Sequence, residues 1–183
     1  MADSPVMRLL PLFLILLLHA PASPAVELFG IDLATARRDA LRQAVRQAGA
    51  ELLREAGEGE FFDAYRSDAL LAESRRLYLG FVKADGTFAF AEYEFPRLRS
   101  PRLLRKLTQR YGPPERIEGR FLTDQAYRWR QPPLEITLRQ DWPAHALRLT
   151  YARPDRLQQL RAEQAEWQRQ QRAKQDKDRP DAW

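Results

Sequence analysis

Arg76-Leu77-Tyr78-Leu79-Gly80-Phe81-Val82-Lys83, then Ala84-Asp85-Gly86, then Thr87-Phe88-Ala89-Phe90-Ala91-Glu92-Tyr93-Glu94-Phe95 reads as two strands around a tight loop. Both runs are rich in aromatic residues and alternate with period two, and Asp-Gly marks the turn. The register decides which residues share a face. A two-residue loop would put Leu77 and Leu79 beside Glu92 and Glu94. A three-residue loop, with Gly86 left-handed, shifts the pairing by one. Leu77, Leu79 and Phe81 then share a face with Ala89, Ala91, Tyr93 and Phe95. On the other face Arg76 stands opposite Glu94, and Tyr78 opposite Glu92. This register separates apolar from charged residues and sets opposite charges across from one another, so it is the expected one.

Outward from this hairpin, the chain alternates helices with groups of strands. Thr35–Gly49 reads as a helix capped by Thr35, ended by Gly49, with Leu41, Ala44, Val45 and Ala48 on one face. Glu51–Glu55 and Phe61–Tyr65 read as short strands around Gly57-Glu58-Gly59. Ser100-Pro101 opens a second helix with Leu103, Leu104, Leu107 and Tyr111 on its buried stripe, and Gly112-Pro113-Pro114 closes it. Three further strands centre on Tyr127/Trp129, Ile136/Leu138 and Leu147/Leu149/Tyr151, each alternating with polar residues. Such alternation implies a sheet with one face on a core and one face wet, hence antiparallel pairing. From Pro154 the chain is helix-permissive, with Leu157, Leu160 and Trp167 as its large apolar residues, and the tail Asp176–Trp183 reads as disordered. The expected fold is α+β, with helices packed on one face of an antiparallel sheet. The two halves rhyme, and the pattern admits two α-β-β-β units in tandem.

The N-terminus speaks to location. Arg8 precedes the apolar run Leu9–Leu18, and small residues follow to Ala25. A basic start, a short apolar run and a small-x-small site are the parts of a secretory signal peptide. A ten-residue helix rises about 15 Å, half of the bilayer hydrocarbon, so a span is not expected. Cleavage fits after Ala22 or after Ala25, and Met7 is a second candidate start. The expected division is a signal peptide over 1–25, one α+β domain over 26–153, and a polar helix with its tail over 154–183. Export to the periplasm follows as the expected location. Removing residues 1–25 deletes one base and one acid, so the net charge stays +5. That balance suits an acidic partner, and nucleic acid is not expected for an exported chain.

A helix closing on Tyr111-Gly112-Pro113-Pro114, then Tyr127-x-Trp129, Leu134–Leu138 and Leu147-x-Leu149-x-Tyr151, resembles small exported bacterial α+β proteins. The layout is similar to that of beta-lactamase inhibitor proteins and of small outer-membrane assembly lipoproteins. This chain has no cysteine, so it lacks the disulfides of the former and the lipidated residue of the latter. Leu28-Phe29-Gly30-Ile31 and Ala91–Phe95 resemble segments of exported proteobacterial proteins of unknown function. The resemblance implies fold and location, and carries no functional residue with it.

Chemistry-bearing residues are few. After the signal segment one histidine remains, His145, which cannot build a multi-histidine zinc site. Ser67, Ser74 and Ser100 lie outside any Gly-x-Ser-x-Gly elbow. There is no Gly-rich phosphate loop, and no cofactor is expected. Glu92 and Glu94 share a strand face and could hold a cation or share a proton, though the register gives them Tyr78 and Arg76 as neighbours. Arg128, Arg130, Arg139 and Arg148 fall on the wet face and would form a basic stripe if their strands are neighbours, with Glu135 partly neutralising it. Phe88 and Phe90 share a face with Tyr78 and Val82, an apolar patch on a wet surface. Either the first or last helix covers that patch or a partner does. The leading expectation is a non-enzymatic exported protein that binds an envelope protein or an acidic envelope component. Its contacts would be Tyr78, Phe88, Phe90, Arg128, Arg130, Arg139 and Arg148. The alternatives are a hydrolase built on Glu92, Glu94 or Asp63, and a small-molecule carrier.

Overall fold

The computed structural model describes residues 25–96, 100–117, 125–141 and 146–177. The apolar run at 9–18, Trp142-Pro143, His145 and the last six residues lie outside them. The elements are β1 (Glu27–Leu28), β2 (Ile31–Asp32), α1 (Arg38–Gln47), β3 (Glu51–Arg54), β4 (Phe62–Arg66), β5 (Arg76–Phe81), β6 (Phe88–Phe95), α2 (Pro101–Tyr111), β7 (Glu115–Ile117), β8 (Ala126–Gln131), β9 (Leu134–Asp141), β10 (Ala146–Ala152) and α3 (Pro154–Lys177). β1 and β2 pair with one another. The other eight form one antiparallel sheet in the order β3-β4-β5-β6-β10-β9-β8-β7. The chain is thus two α-then-four-strand meanders, joined where β6 lies beside β10. The short strand β7 is the member that the sequence pattern does not reveal.

The hairpin adopts the charge-separating register: Arg76 opposes Glu94, Leu77 opposes Tyr93 and Tyr78 opposes Glu92. Gly86 has φ +69°, the left-handed value the loop requires. Near the turn the register shifts. Gly80 opposes Phe90 and Phe81 opposes Phe88, so Ala89 is an extra residue on β6. Such a bulge reverses the side-chain sense along the strand. Phe88 therefore turns into the core, fully buried, and does not share a face with Phe90 as the alternation suggests. The bulge is held from outside the hairpin: the Phe88 amide donates to the Ala36 carbonyl, and the Arg153 amide donates to that of Ala89.

One sheet face carries Leu77, Leu79, Tyr93, Ile136, Leu138, Leu149 and Trp129 against Leu41 and Val45 of α1 and Leu103, Leu107 and Tyr111 of α2. The cap of α2 is as read, with Ser100 Oγ accepting from the Leu103 amide at 3.2 Å. α1 starts later than its sequence suggests. Its N-cap is Arg37, which makes no side-chain cap, and the Thr35 hydroxyl turns back to the Asp32 carbonyl. The reason is tertiary: the Arg38 amide donates to the Gly86 carbonyl, so the hairpin turn satisfies one of the first-turn donors and fixes where the helix begins. α3 packs on the opposite face of the sheet. Its Leu160 is buried beside Phe61, Ala89 and Phe90, and Glu163 accepts from the amides of Lys83 and Ala84 at 2.8 and 3.2 Å.

Candidate functional site

The outer face of the sheet holds a groove of about 570 Å³, within the range of small-molecule sites. β3 to β6 and β10 build it. Phe62, Ala64, Tyr78 and Phe90 come from successive strands, at positions whose side chains share this face. The Phe62 ring meets Tyr78 edge-on, centroids 5.5 Å apart at 90°, and Phe90 at 6.5 Å and 61°. Aromatic pairs favour this geometry, so the rings hold one another in place. A smaller space of about 230 Å³ shares Phe62, Phe90 and Glu92 and continues beneath α3 to Leu157 and Leu160.

Three guanidiniums stand around this apolar floor. Arg54 lies 4.7 Å from the Phe62 ring centroid and pairs with Glu60 at 3.4 Å, with both side chains exposed. Arg76 is exposed and donates to the Tyr78 hydroxyl at 3.4 Å. Arg148 reaches Glu92 at 2.5 Å and Glu94 at 3.6 Å. Glu92 also accepts from the Thr150 hydroxyl at 3.1 Å. The groove wall thus carries three arginines and one carboxylate.

Of the residues singled out by sequence, Tyr78, Phe90 and Arg148 meet in this groove. Phe88 does not, because the bulge sends it to the core. Arg128, Arg130 and Arg139 share the outer face but stand on β8 and β9, beyond β10 from the groove. They do not form an open basic stripe. Arg128 pairs with Glu135 at 3.2 Å, Arg130 with Glu115 at 3.1 Å, and Arg139 sits opposite Arg148 and makes interactions of its own. Leu53, Arg54 and Phe62 are groove residues that sequence reasoning missed. The period-two pattern places Phe62 on a face but does not say which strand lies beside it.

The carboxylates of the hydrolase alternative do not converge. Asp63 lies on the core side of β4, fully buried. Its oxygens accept from Arg42 Nε and Nη2 and from the Ala56 amide, each at 2.7 Å. The Arg42 guanidinium is held further above its usual range, chiefly by this bond to Asp63. This clamp ties α1 to β4, and the fork of arginine suits it. Glu92 and Glu94 are on the other face, engaged by Arg148. Among the described residues, no three His, Asp or Glu side chains gather as a metal site. No described helix is long and apolar enough to cross a membrane.

No family model matches the sequence, and no curated protein matches it. One solved structure, a DUF4309 family protein (YjgB) from Bacillus subtilis subsp. subtilis str. 168, is similar over 70% of this chain and 87% of that one. The TM-score is 0.44 and the identity 14%, a likeness too distant to bear on function.

Proposed function

We propose that the chain is an exported, non-enzymatic binding module that takes an acidic, partly apolar envelope component into the outer groove. The observation that supports this is the meeting of an aromatic floor with Arg54, Arg76 and Arg148 in one concavity. Rings accept an apolar body, while guanidiniums select a carboxylate, sulfonate or phosphate. Arg76 is exposed and hydrogen-bonds a phenol rather than a carboxylate. Arg148 is pre-positioned by Glu92 and Glu94, so it orients without needing to move. A ligand acid at Arg76 would bring the groove nearer to neutrality, which is electrostatic complementarity. Ion pairing of Glu92 and Glu94 favours this reading over the hydrolase, which needs unengaged carboxylates in a cleft.

Isothermal titration calorimetry with 2-naphthoate, and with the neutral 2-naphthamide, tests the reading. Saturable one-to-one binding of the acid is expected, at least about tenfold tighter than the amide, since a charge-assisted hydrogen bond is worth roughly 1.5–3 kcal/mol. Arg76→Glu should weaken the acid selectively and leave the amide unchanged. Equal affinity for acid and amide, or binding insensitive to Arg76→Glu, would overturn it.

A further inference from the structure

The outer face of the sheet is graded along its strands. Phe62 opposes Gly80, and Gly80 opposes Phe90, so one row across β4, β5 and β6 is ring, bare backbone, ring. Two residues along, the row is Ala64, Tyr78, Glu92 and Thr150. Two further along it is Arg66, Arg76, Glu94 and Arg148. Residues two apart on a strand share a face, so these rows stand on one surface. It runs from apolar to charged over four residues, about 13 Å. α3 covers the apolar end. Leu160 is buried there, with Cδ2 3.0 Å from where a Cβ of Gly80 would stand.

The covering helix does not close down fully on the sheet. A space of about 230 Å³ remains between Phe62, Phe90 and Thr150 on the sheet and Leu157, Leu160 and Gln164 on α3. Helix positions three and seven apart lie on one face, so these three α3 side chains line the space together. α3 is pinned over it. Glu163 accepts from the amides of Lys83 and Ala84, and the Trp167 ring meets Phe61 edge-on, centroids 6.2 Å apart at 68°. A Cβ at Gly59 would stand 2.7 Å from Trp167 Cζ2, so that turn also fits the indole. The space joins the 570 Å³ groove at Phe62, Phe90 and Glu92, which line both.

We infer that the groove ligand is a single-chain alkyl acid. Its acidic head meets Arg76, its chain runs past Tyr78, and its end lies beneath α3 at Leu157 and Leu160. This deepens the groove reading above and rests on it. Arg76 is exposed and bonded only to a phenol here, so an acid gains a charge-assisted bond without breaking an ion pair of that residue. A broad ring system suits the open groove, whereas a narrow chain also enters the space under the helix. An extended chain advances about 1.25 Å per carbon–carbon bond, so about ten bonds lead from Arg76 to the row of Phe62 and Phe90. Longer chains pass under α3.

Calorimetry with octanoate, decanoate, dodecanoate and tetradecanoate, each below its micelle concentration, tests it beside 2-naphthoate. Affinity should rise by up to about fourfold per buried methylene, and should go on rising beyond decanoate. Leu157→Trp fills the space beneath α3. It should weaken dodecanoate about tenfold, to the level of decanoate, and leave octanoate and 2-naphthoate unchanged. Gln164→Trp, two turns on along the same helix face, is the second plug should the first lower the melting temperature. Dodecyl phosphate beside dodecanoate tells a phospholipid fragment from a free fatty acid by which head binds more tightly, and either preference supports the alkyl site. Affinity that levels off by decanoate, or plugs that leave dodecanoate unchanged, would overturn the inference, while binding of 2-naphthoate would still uphold the groove reading. Failure of both the alkyl acids and 2-naphthoate to bind would overturn both.

Discussion

Gly80→Ala is the sharpest test of how the groove floor is held. Gly80 lies opposite Phe90, and a Cβ at Gly80 would stand 2.1 Å from Phe90 Cε1, 2.4 Å from its Cδ1 and 3.0 Å from Leu160 Cδ2. The Phe90 ring lies on bare backbone, and one methyl group must displace it. Overpacking of this kind costs about 1–3 kcal/mol. Replacing a glycine that has an ordinary backbone conformation returns about 0.4–1 kcal/mol by restricting the unfolded chain. The net loss should be about 1–2 kcal/mol, or a melting temperature lower by about 2–8 °C for a domain of this size. Thermal and urea denaturation would measure it, in a cycle with Phe90→Ala. Because the clash needs the ring, Gly80→Ala should cost little or nothing once Phe90 is truncated. The displaced ring should also weaken 2-naphthoate. If the two substitutions add, the ring does not rest on Gly80 and the reasoning fails.

Asp63→Ala should cost about 3 kcal/mol in urea denaturation, at the low end for breaking a buried pair, because Glu55 still reaches Arg42 at 2.5 Å. Phe88→Ala should cost about 3–5 kcal/mol, the signature of a core ring; a change under about 1 kcal/mol would contradict its burial. Stability should fall steeply as pH rises above 10. Burial, reinforced by Asp63, pushes the Tyr65 phenol up from 10.0 to about 12, and burial pushes Tyr93 and Tyr151 higher still. With folded values above unfolded ones, the contribution is complete below pH 10 and is lost as pH climbs through the folded values. Tyrosinate absorbance followed beside circular dichroism would show ionisation coinciding with unfolding. Phenols that ionise near pH 10 in a folded chain would contradict it.

Local signals carried the fold a long way. The Ser100-Pro101 cap, the Gly86 turn and the charge-matched register of β5 and β6 are short-range facts, and each is present as read. What failed was long-range. The Ala89 bulge is fixed by Ala36 and Arg153, distant in sequence, so no pattern within β6 announces it. The start of α1 was misread for the same reason, since its first donor bonds to the hairpin. At the groove, Tyr78, Phe90 and Arg148 were legible as candidates because each stands on a wet face. That Arg148 would take the carboxylates assigned to Arg76 and Tyr78 was not. It depends on β10 lying beside β6, across a separation of 56 residues. Phe62 and Arg54 belong to the groove only through strand order, which alternation does not encode.

The seam between β6 and β10 also governs the molecule before it is finished. A chain emerges N-terminus first, so the first meander is complete while β10 is still unmade. Until then β6 is a bare rim of eight residues. In that interval Glu92 and Glu94 have no Arg148. Glu94 faces Arg76 within the hairpin, so the charge on the rim that waits for a partner is Glu92, and Arg148 supplies it when β10 arrives. A charge on a bare edge disfavours a second strand there, and the same Glu92 joins the two meanders once Arg148 pairs with it.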